Sequence, residues 1–394
     1  MNKLTIKDTD VEGKRVIIRV DFNVPLDEKL NITDDRRIRE ALPTIQYVLK
    51  QGAAKVILMS HLGRPEGQVV EDQRMAPVGK HLQKLLAQPV LCTRDCVGEE
   101  VRTAIETSKE KIVLLENLRF HKAETKNDPE FAKKLASLAD IYVNDAFGTS
   151  HRAHASTAGI TAYLPSAAGF LLEKEIAYLS QAVHNPAKPF VIILGGAKVS
   201  DKIALIENML PKVNAIVIGG GMAYTFLKAQ GLPIGKSLLE ADKIETAKSI
   251  LEKAKQLKVE VAVSSDFVVV RDFKNPQERK TVATIPDGWE GIDIGPETRK
   301  NFKKVLSGAR TIVWNGPLGV FEVDEYAEGT REIAEYVAGL KGVTSIVGGG
   351  DTAAAVAKFD CEEGMTHIST GGGASLELLE GKVLPGIAAL TDKK

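Results

Sequence analysis

The sequence predicts an α/β protein built as two Rossmann-like, doubly wound parallel-sheet domains joined by a hinge helix. Three observations carry this expectation. The chain has 394 residues, more than the roughly 250 to 300 at which one hydrophobic core stops growing. Short apolar, β-branched runs recur along it, each ending in glycine or polar residues and most followed by a helical pattern. The runs are apolar throughout and do not alternate, which suits strands buried on both faces of a helix-covered parallel sheet.

In the first half the runs are Arg15 to Val20, Lys55 to Met59, Lys111 to Leu115 and Ile141 to Val143. The segment FLLEKEIAYLSQAV, Phe170 to Val183, then reads as one amphipathic helix closed off by His184-Asn185-Pro186, and is taken as the connector. The second-half runs are Phe190 to Leu194, Ala215 to Ile218, Val259 to Val263, Thr311 to Trp314 and Ser345 to Val347, with Thr366 to Ser369 a further candidate. Residues 267–295 lose the strand–helix rhythm and are read as extra strands or a long surface excursion. The expected divisions are a first domain over 1–169, the connector over 170–184 and a second domain over 185–375.

Composition excludes several functional classes. Lys plus Arg equals Asp plus Glu at 52 each, so no global field draws the protein to nucleic acid or to an anionic membrane, and any positive charge has to be local. Cys92, Cys96 and Cys361 offer neither a four-ligand zinc pattern nor an even disulfide framework, and are read as free thiols in a reducing compartment. The N-terminal MNKLTIKDTDVEGKRV is charged from the start, and no apolar run approaches a membrane span. A cytoplasmic location is expected.

Ligands of open α/β sheets sit at the carboxyl ends of the strands, so the residues after each run are where chemistry is sought. The two halves differ there. The first-half runs are followed by Asp21-Phe22-Asn23, Ser60-His61-Leu62-Gly63-Arg64-Pro65, Glu116-Asn117-Leu118-Arg119 and Asn144-Asp145-Ala146-Phe147-Gly148, with Ser150-His151-Arg152-Ala153-His154 just beyond. These donors suit a small, multiply charged anion, because a guanidinium fork matches carboxylate or phosphate oxygens two at a time. Arg36 is placed to join them. Any one arginine alone reads equally well as a surface charge or structural salt bridge; the recurrence of Arg64, Arg119 and Arg152 with His61 at one structural position is what points to a site.

The second-half runs are followed by glycine loops: Gly195-Gly196-Ala197-Lys198, Gly219-Gly220-Gly221, Gly316-Pro317, Gly348-Gly349-Gly350-Asp351-Thr352 and Gly371-Gly372-Gly373. Glycine lets a ligand approach the backbone, and helix N-termini behind such loops present free N–H groups to phosphate. Lys198 and Lys202 are expected at the start of a helix over Val199 to Leu210, where cations oppose the helix dipole unless a polyphosphate is bound. Asp351 is either an N-cap or a ligand holding Mg²⁺ against nucleotide phosphates. No general base stands out, which fits a carboxylate acceptor that is already anionic at neutral pH.

Two decoys are set aside. Gly348, Gly350 and Ala353 satisfy the looser dinucleotide fingerprint, which makes an NAD-dependent dehydrogenase the alternative enzyme reading, but that leaves the other glycine loops and the lysine pair unexplained. Gly231 to Ser237 misses the Walker A spacing by one residue and follows a helical pattern. A non-catalytic nucleotide-binding protein on the same two sheets is the other alternative.

The segments Val20-Asp21-Phe22-Asn23-Val24-Pro25, Ser60 to Pro65, Leu194-Gly195-Gly196-Ala197-Lys198-Val199-Ser200-Asp201-Lys202, Trp314-Asn315-Gly316-Pro317, Gly348 to Thr352 and Ser369-Thr370-Gly371-Gly372-Gly373-Ala374-Ser375 together resemble phosphoglycerate kinase, in that family's order and across both halves. The resemblance implies reversible phosphoryl transfer from 1,3-bisphosphoglycerate to MgADP, giving 3-phosphoglycerate and ATP in glycolysis. It implies that Asp21, Asn23, Arg36, His61, Arg64, Arg119 and Arg152 bind the phosphoglycerate in the first domain. Arg36, Lys198, Gly372 and Gly373 would attend the transferring group. Nucleotide binding would fall to Gly195, Lys198, Lys202, Gly219, Asn315, Pro317, Glu322, Gly349, Gly350, Asp351 and Thr352, with Asp351 also holding Mg²⁺. The family further implies hinge closure, a monomer, and a C-terminal segment, 376–394, returning to the first domain.

Overall fold

The apolar runs form strands, and the strands form three sheets. In the computed structural model, which describes residues 3–393, β1 (Arg15–Val20), β2 (Lys55–Met59), β3 (Val90–Cys92), β4 (Ile112–Leu114), β5 (Ile141–Asp145) and β6 (Ser166–Ala168) make a parallel sheet in the order β3-β4-β2-β1-β5-β6. The chain leaves β1 for β2 on one side and later reaches β5 on the other, so β1 ends at a topological switch point. Register fixes what meets there. Arg19 lies opposite both Met59 and Asn144, so the loops that follow all three strands start at one level.

The helix Arg36–Lys50 covers this sheet with Ile38, Ala41, Ile45 and Val48, the spacing of one helical face. Those side chains pack in one cluster with Val16, Ile18, Val20 and Leu58 from the strands.

The remaining strands are β7 (Phe190–Leu194), β8 (Ala215–Ile218), β9 (Glu260–Val263), β10 (Phe267–Val270), β11 (Lys280–Val282), β12 (Glu290–Ile294), β13 (Thr311–Asn315), β14 (Thr344–Gly348) and β15 (His367–Ile368). Six of them form a second parallel sheet, β15-β14-β13-β7-β8-β9. Its switch point lies between β7 and β13, where Asn315 is in register with Leu194 on one side and Gly348 on the other. The segment 267–295 forms extra strands: β11, β10 and β12 make a separate antiparallel sheet. Trp314, fully buried in β13, donates its indole N–H to the Gly316 carbonyl at 2.8 Å, so the largest core side chain carries no unpaired donor.

The contacts divide the chain into two compact units, Met1–Ala177 with Val383–Lys394, and Tyr178–Lys382. The helix Phe170–His184 carries that division within it. Its first turn is held from the first unit: the Asp145 carboxylate accepts from the Leu171 and Leu172 amides at 2.9 and 3.2 Å, and Thr44 Oγ1 accepts from the Phe170 amide at 2.9 Å. The late segment is stitched to the start of that unit and to β5. Leu4 donates to the Thr391 carbonyl at 2.9 Å, and Asn144 Nδ2 donates to the Gly386 carbonyl at 2.9 Å. No described helix is long and apolar enough to cross a membrane.

Candidate active site

In the first unit the loops after the strands are tied to one another by their polar residues. Asn23 Oδ1 accepts from the Gly63 amide at 2.8 Å, and the Gly63 carbonyl accepts from Arg119 at 2.9 Å. Asp21 accepts from Arg37 at 3.1 Å, and Arg37 also donates to the Asn23 carbonyl at 3.2 Å. The ends of β1, β2 and β4 therefore hold Asp21, Asn23, His61 and Arg119 in one constellation.

His61 is 4% exposed. Its Nδ1 lies 3.2 Å from a guanidinium nitrogen of Arg19, which only donates, so Nδ1 accepts and the ring proton sits on Nε2. Burial holds the imidazole pKa well below its usual value, and the positive charges of Arg19, Arg119, Arg37 and Arg152 push it the same way. Four guanidinium groups thus act on one neutral histidine. Arg119 is itself pushed down to about 10 by burial and then by Arg19 and Arg152. Such crowding of like charge costs stability without an anion and becomes favourable with one. Arg64 is exposed just beyond Gly63, and Arg36, half-buried, opens the helix Arg36–Lys50 beside Arg37. Arg152 donates to the imidazole of His151 at 3.1 Å.

The opposing carboxylate lies deeper. Glu124 is fully buried and accepts from the Ser156 amide and hydroxyl at 3.0 and 2.5 Å, while Arg19 donates to the same hydroxyl at 2.9 Å. This layer supports the arginines from beneath.

In the second unit the glycine loops after β7, β13 and β14 close on a cavity of about 210 Å³, bordered by Gly195 to Lys198, Asp201, Lys202, Asn315 to Pro317 and Gly349 to Thr352. The closeness depends on missing side chains. A Cβ on Gly195 would run into the backbone of Gly316 and Pro317, and Gly196 donates its amide to the Pro317 carbonyl at 2.8 Å. Thr352 Oγ1 accepts from the Gly316 amide at 2.7 Å, locking the β13 loop to the helix Gly350–Lys358. Lys202 reaches across and donates to Asn315 Oδ1. Burial lowers its pKa, while Asp201 and Asp351 act to raise it, so both carboxylates lie close enough to feel the ammonium.

Two local expectations are corrected here. No helix starts at Val199: residues 199–202 form a turn, with the Lys202 amide donating to the Val199 carbonyl, and the helix begins at Ile203. Lys198 is therefore an exposed loop residue and only Lys202 adjoins a helix. The turn is pinned from outside by Glu240, which accepts from the Ser200 amide at 3.0 Å and its hydroxyl at 2.5 Å. Asp351 is not the N-cap either. That position is Gly349, at φ 90°, and Asp351 is the second residue of the helix, exposed and suited by charge to its N-terminus.

Gly219, Glu322, Gly372 and Gly373 are not among the residues lining this cavity. Gly219 packs where a Cβ would meet Leu318 and Ile294, and Glu322 is exposed, its carbonyl accepting from Lys358 at 3.3 Å. Gly372, at φ 39° and ψ −100°, immediately precedes the helix Gly373–Leu379, and its carbonyl accepts from Ser375 at 2.8 Å.

The phosphoglycerate kinase family pattern matches residues 6–382. The chain belongs to the phosphoglycerate kinase family. The phosphoglycerate kinases of Moorella thermoacetica and Synechococcus elongatus are each 56% identical to it, over 396 and 401 residues and the whole of both chains. The solved phosphoglycerate kinase of Coxiella burnetii superposes with a TM-score of 0.88 at 43% identity, covering 98% of each chain. That of Pyrococcus horikoshii gives 0.83 at 34% identity, with the same coverage. The chain is accordingly a glycolytic phosphotransferase of a family that uses ATP and ADP.

Reading the sequence as a phosphoglycerate kinase still misses Arg19, Arg37, Glu124, Ser156 and Glu240. Only Arg19 leaves a usable signal: an arginine inside an otherwise apolar strand must find a buried partner.

Proposed function

We propose that the chain transfers a phosphoryl group from 1,3-bisphosphoglycerate to MgADP, with the acid held by the first unit and the nucleotide by the second. The observation that carries this is the cavity between the β7, β13 and β14 loops, lined by bare backbone, two lysines, one exposed and one half-buried, and two carboxylates. It has the donors and dimensions of a phosphate cradle.

In the first unit, Asp21, Asn23, His61, Arg64, Arg119 and Arg152 bind the phosphoglycerate. The support is the cationic cluster around neutral His61, whose Nε2–H points a donor away from Arg19. In the second, Lys202 neutralises nucleotide phosphate while Gly349, Gly350 and Thr352 present the N-terminus of their helix to it; Gly195, Gly219, Asn315, Pro317 and Glu322 shape the remainder. Arg36 and Lys198 stabilise charge on the group in flight, together with the amides of Gly372 and Gly373.

Mg²⁺ fits this donor set. A hard cation takes oxygen ligands and a carboxylate or two beside phosphate, and Asp351 is an exposed carboxylate at the cavity wall, with Asp201 nearby. Bound there through Asp351, the ion would offset charge on the nucleotide phosphates.

The acceptor in the reverse direction is a carboxylate, so no residue has to remove a proton from it; positioning and charge stabilisation remain as the protein's task. Transfer also requires the two ligands to meet, which we assign to bending at the helix Phe170–His184. A coupled assay with 3-phosphoglycerate and MgATP tests the reading. Turnover is expected, and nucleotide binding without turnover would overturn it.

A further inference from the structure

A second cluster of reactive side chains lies in the first unit, outside the groups assigned above. Among the described residues, Asp95, Cys96 and His121 bring a carboxylate oxygen, a thiol sulfur and an imidazole nitrogen within 4.8 Å of one another. Cysteine spacing alone offers no metal pattern, because the histidine comes from a different loop.

The loop after β3 carries the first two ligands and is rigidly tied. Thr93 donates its amide to the Leu114 carbonyl at 3.0 Å and its hydroxyl to the Asp95 carbonyl at 2.6 Å. His121 follows the turn Leu118–Phe120, and its ring packs against Phe131 with centroids 5.2 Å apart. The Asp95 carboxylate is the hub. It accepts from His121 Nε2 at 2.6 Å and from the Cys96 amide at 2.6 Å, and the Cys96 sulfur lies within 4.8 Å of a carboxylate oxygen.

We propose that Asp95, Cys96 and His121 form a binding site for a borderline-soft divalent cation of the zinc type. The mixture of one oxygen, one nitrogen and one sulfur donor selects that class over magnesium or calcium, which take oxygen alone. In a tetrahedral zinc site with bonds of about 2.0 to 2.3 Å, neighbouring ligand atoms stand roughly 3.3 to 3.8 Å apart. The Asp95 oxygen and His121 Nε2, now 2.6 Å apart, have to part by roughly 0.7 Å to reach that spacing. Cys96 forms the buried floor, while Asp95 is 51% and His121 33% exposed at the side chain, leaving an entry path and a fourth position for water.

Binding is balanced as a proton exchange. The cation replaces the Cys96 thiol proton, which leaves to solvent; the proton that His121 Nε2 gives to Asp95 passes by exchange with water to Nδ1, with no further net release, and frees Nε2 to coordinate. No electron transfer is involved. A free thiol is protonated at neutral pH and binds a metal only as the thiolate, so release accompanies binding.

The test is titration of the full chain with ZnCl₂ by calorimetry in two buffers of different ionisation enthalpy, and with CoCl₂ by absorption. One equivalent, a released proton and a near-ultraviolet thiolate-to-cobalt band are expected. Asp95→Asn, Cys96→Ser and His121→Gln should each weaken zinc at least about tenfold. Cys92→Ser should leave binding intact, and all four variants should keep kinase turnover. If Cys96→Ser folds poorly, the two surface variants decide the matter alone. Affinity unchanged in them, or no cobalt band in the parent, would mean adventitious surface binding only and overturn the site.

Discussion

His61 shows how a single residue is read through its surroundings: it is neutral because it is buried among arginines, and its proton faces away from Arg19 because a guanidinium cannot accept. At this scale two substitutions separate transfer from binding. Arg36→Ala is expected to lower kcat by about a hundredfold or more while ADP affinity by calorimetry stays within a factor of two or so, since the proposed role puts its charge at the transferring group. Near-normal turnover would remove it from that role. Lys202→Ala removes the ammonium at the proposed phosphate cradle and should weaken ADP by about tenfold or more; unchanged affinity would refute the assignment. Asp21, Asn23, His61, Arg119 and Arg152 were legible because they follow strand ends. Arg19 and Glu124 were not. Their meaning rests on Ser156, which lies 137 residues from Arg19 and 32 from Glu124, and no local pattern joins them.

Elements decide how firmly those residues are held. The turn that ends at Lys202 is clamped by Glu240 through both polar groups of Ser200, and the Glu240 amide donates to Thr225 at 3.3 Å. Glu240→Ala should raise the KM for nucleotide severalfold with a smaller change in kcat, because it loosens a cradle and removes no reacting group; equal KM values for variant and parent would dismiss the clamp. The first turn of the helix Phe170–His184 rests on Asp145, whose carboxyl is pushed up to about 7 by burial. Its folded pKa lies above the unfolded one, so this group's stabilisation is complete below about pH 4 and is lost as pH rises through 7. Asn accepts the same amides without ionising. Asp145→Asn should therefore gain stability over the parent at pH 8, up to the order of 4 kcal/mol in urea unfolding, and gain little at pH 4. A variant destabilised equally at both would show that packing dominates. The strands escaped notice only where they are weak in sequence. β3 is three half-buried residues next to a proline, and β6 is Ser-Ala-Ala, with no β-branched residue to announce a strand its neighbour β5 induces. The 267–295 segment lacked the parallel rhythm because its three strands pair antiparallel.

At the scale of the whole molecule, the division into two sheets was legible because each half repeats one rhythm and ends its strands in a different chemistry, arginine and histidine in one, glycine in the other. Small-angle scattering should show a smaller radius of gyration with 3-phosphoglycerate and MgATP together than with either alone; equal radii would count against bending at the connecting helix. The connectivity has a further consequence. Because Val383–Lys394 belongs with Met1–Ala177, the second unit is an insertion in the chain of the first. A ribosome delivers Tyr178–Lys382 as one continuous stretch, whereas the earlier unit waits for its last strap, Gly386 against Ser150 and Thr391 against Leu4, until that whole stretch has been made. Cutting the chain after Lys382 would thus leave the inserted half whole and take from the flanking half the partners of Ser150 and Leu4.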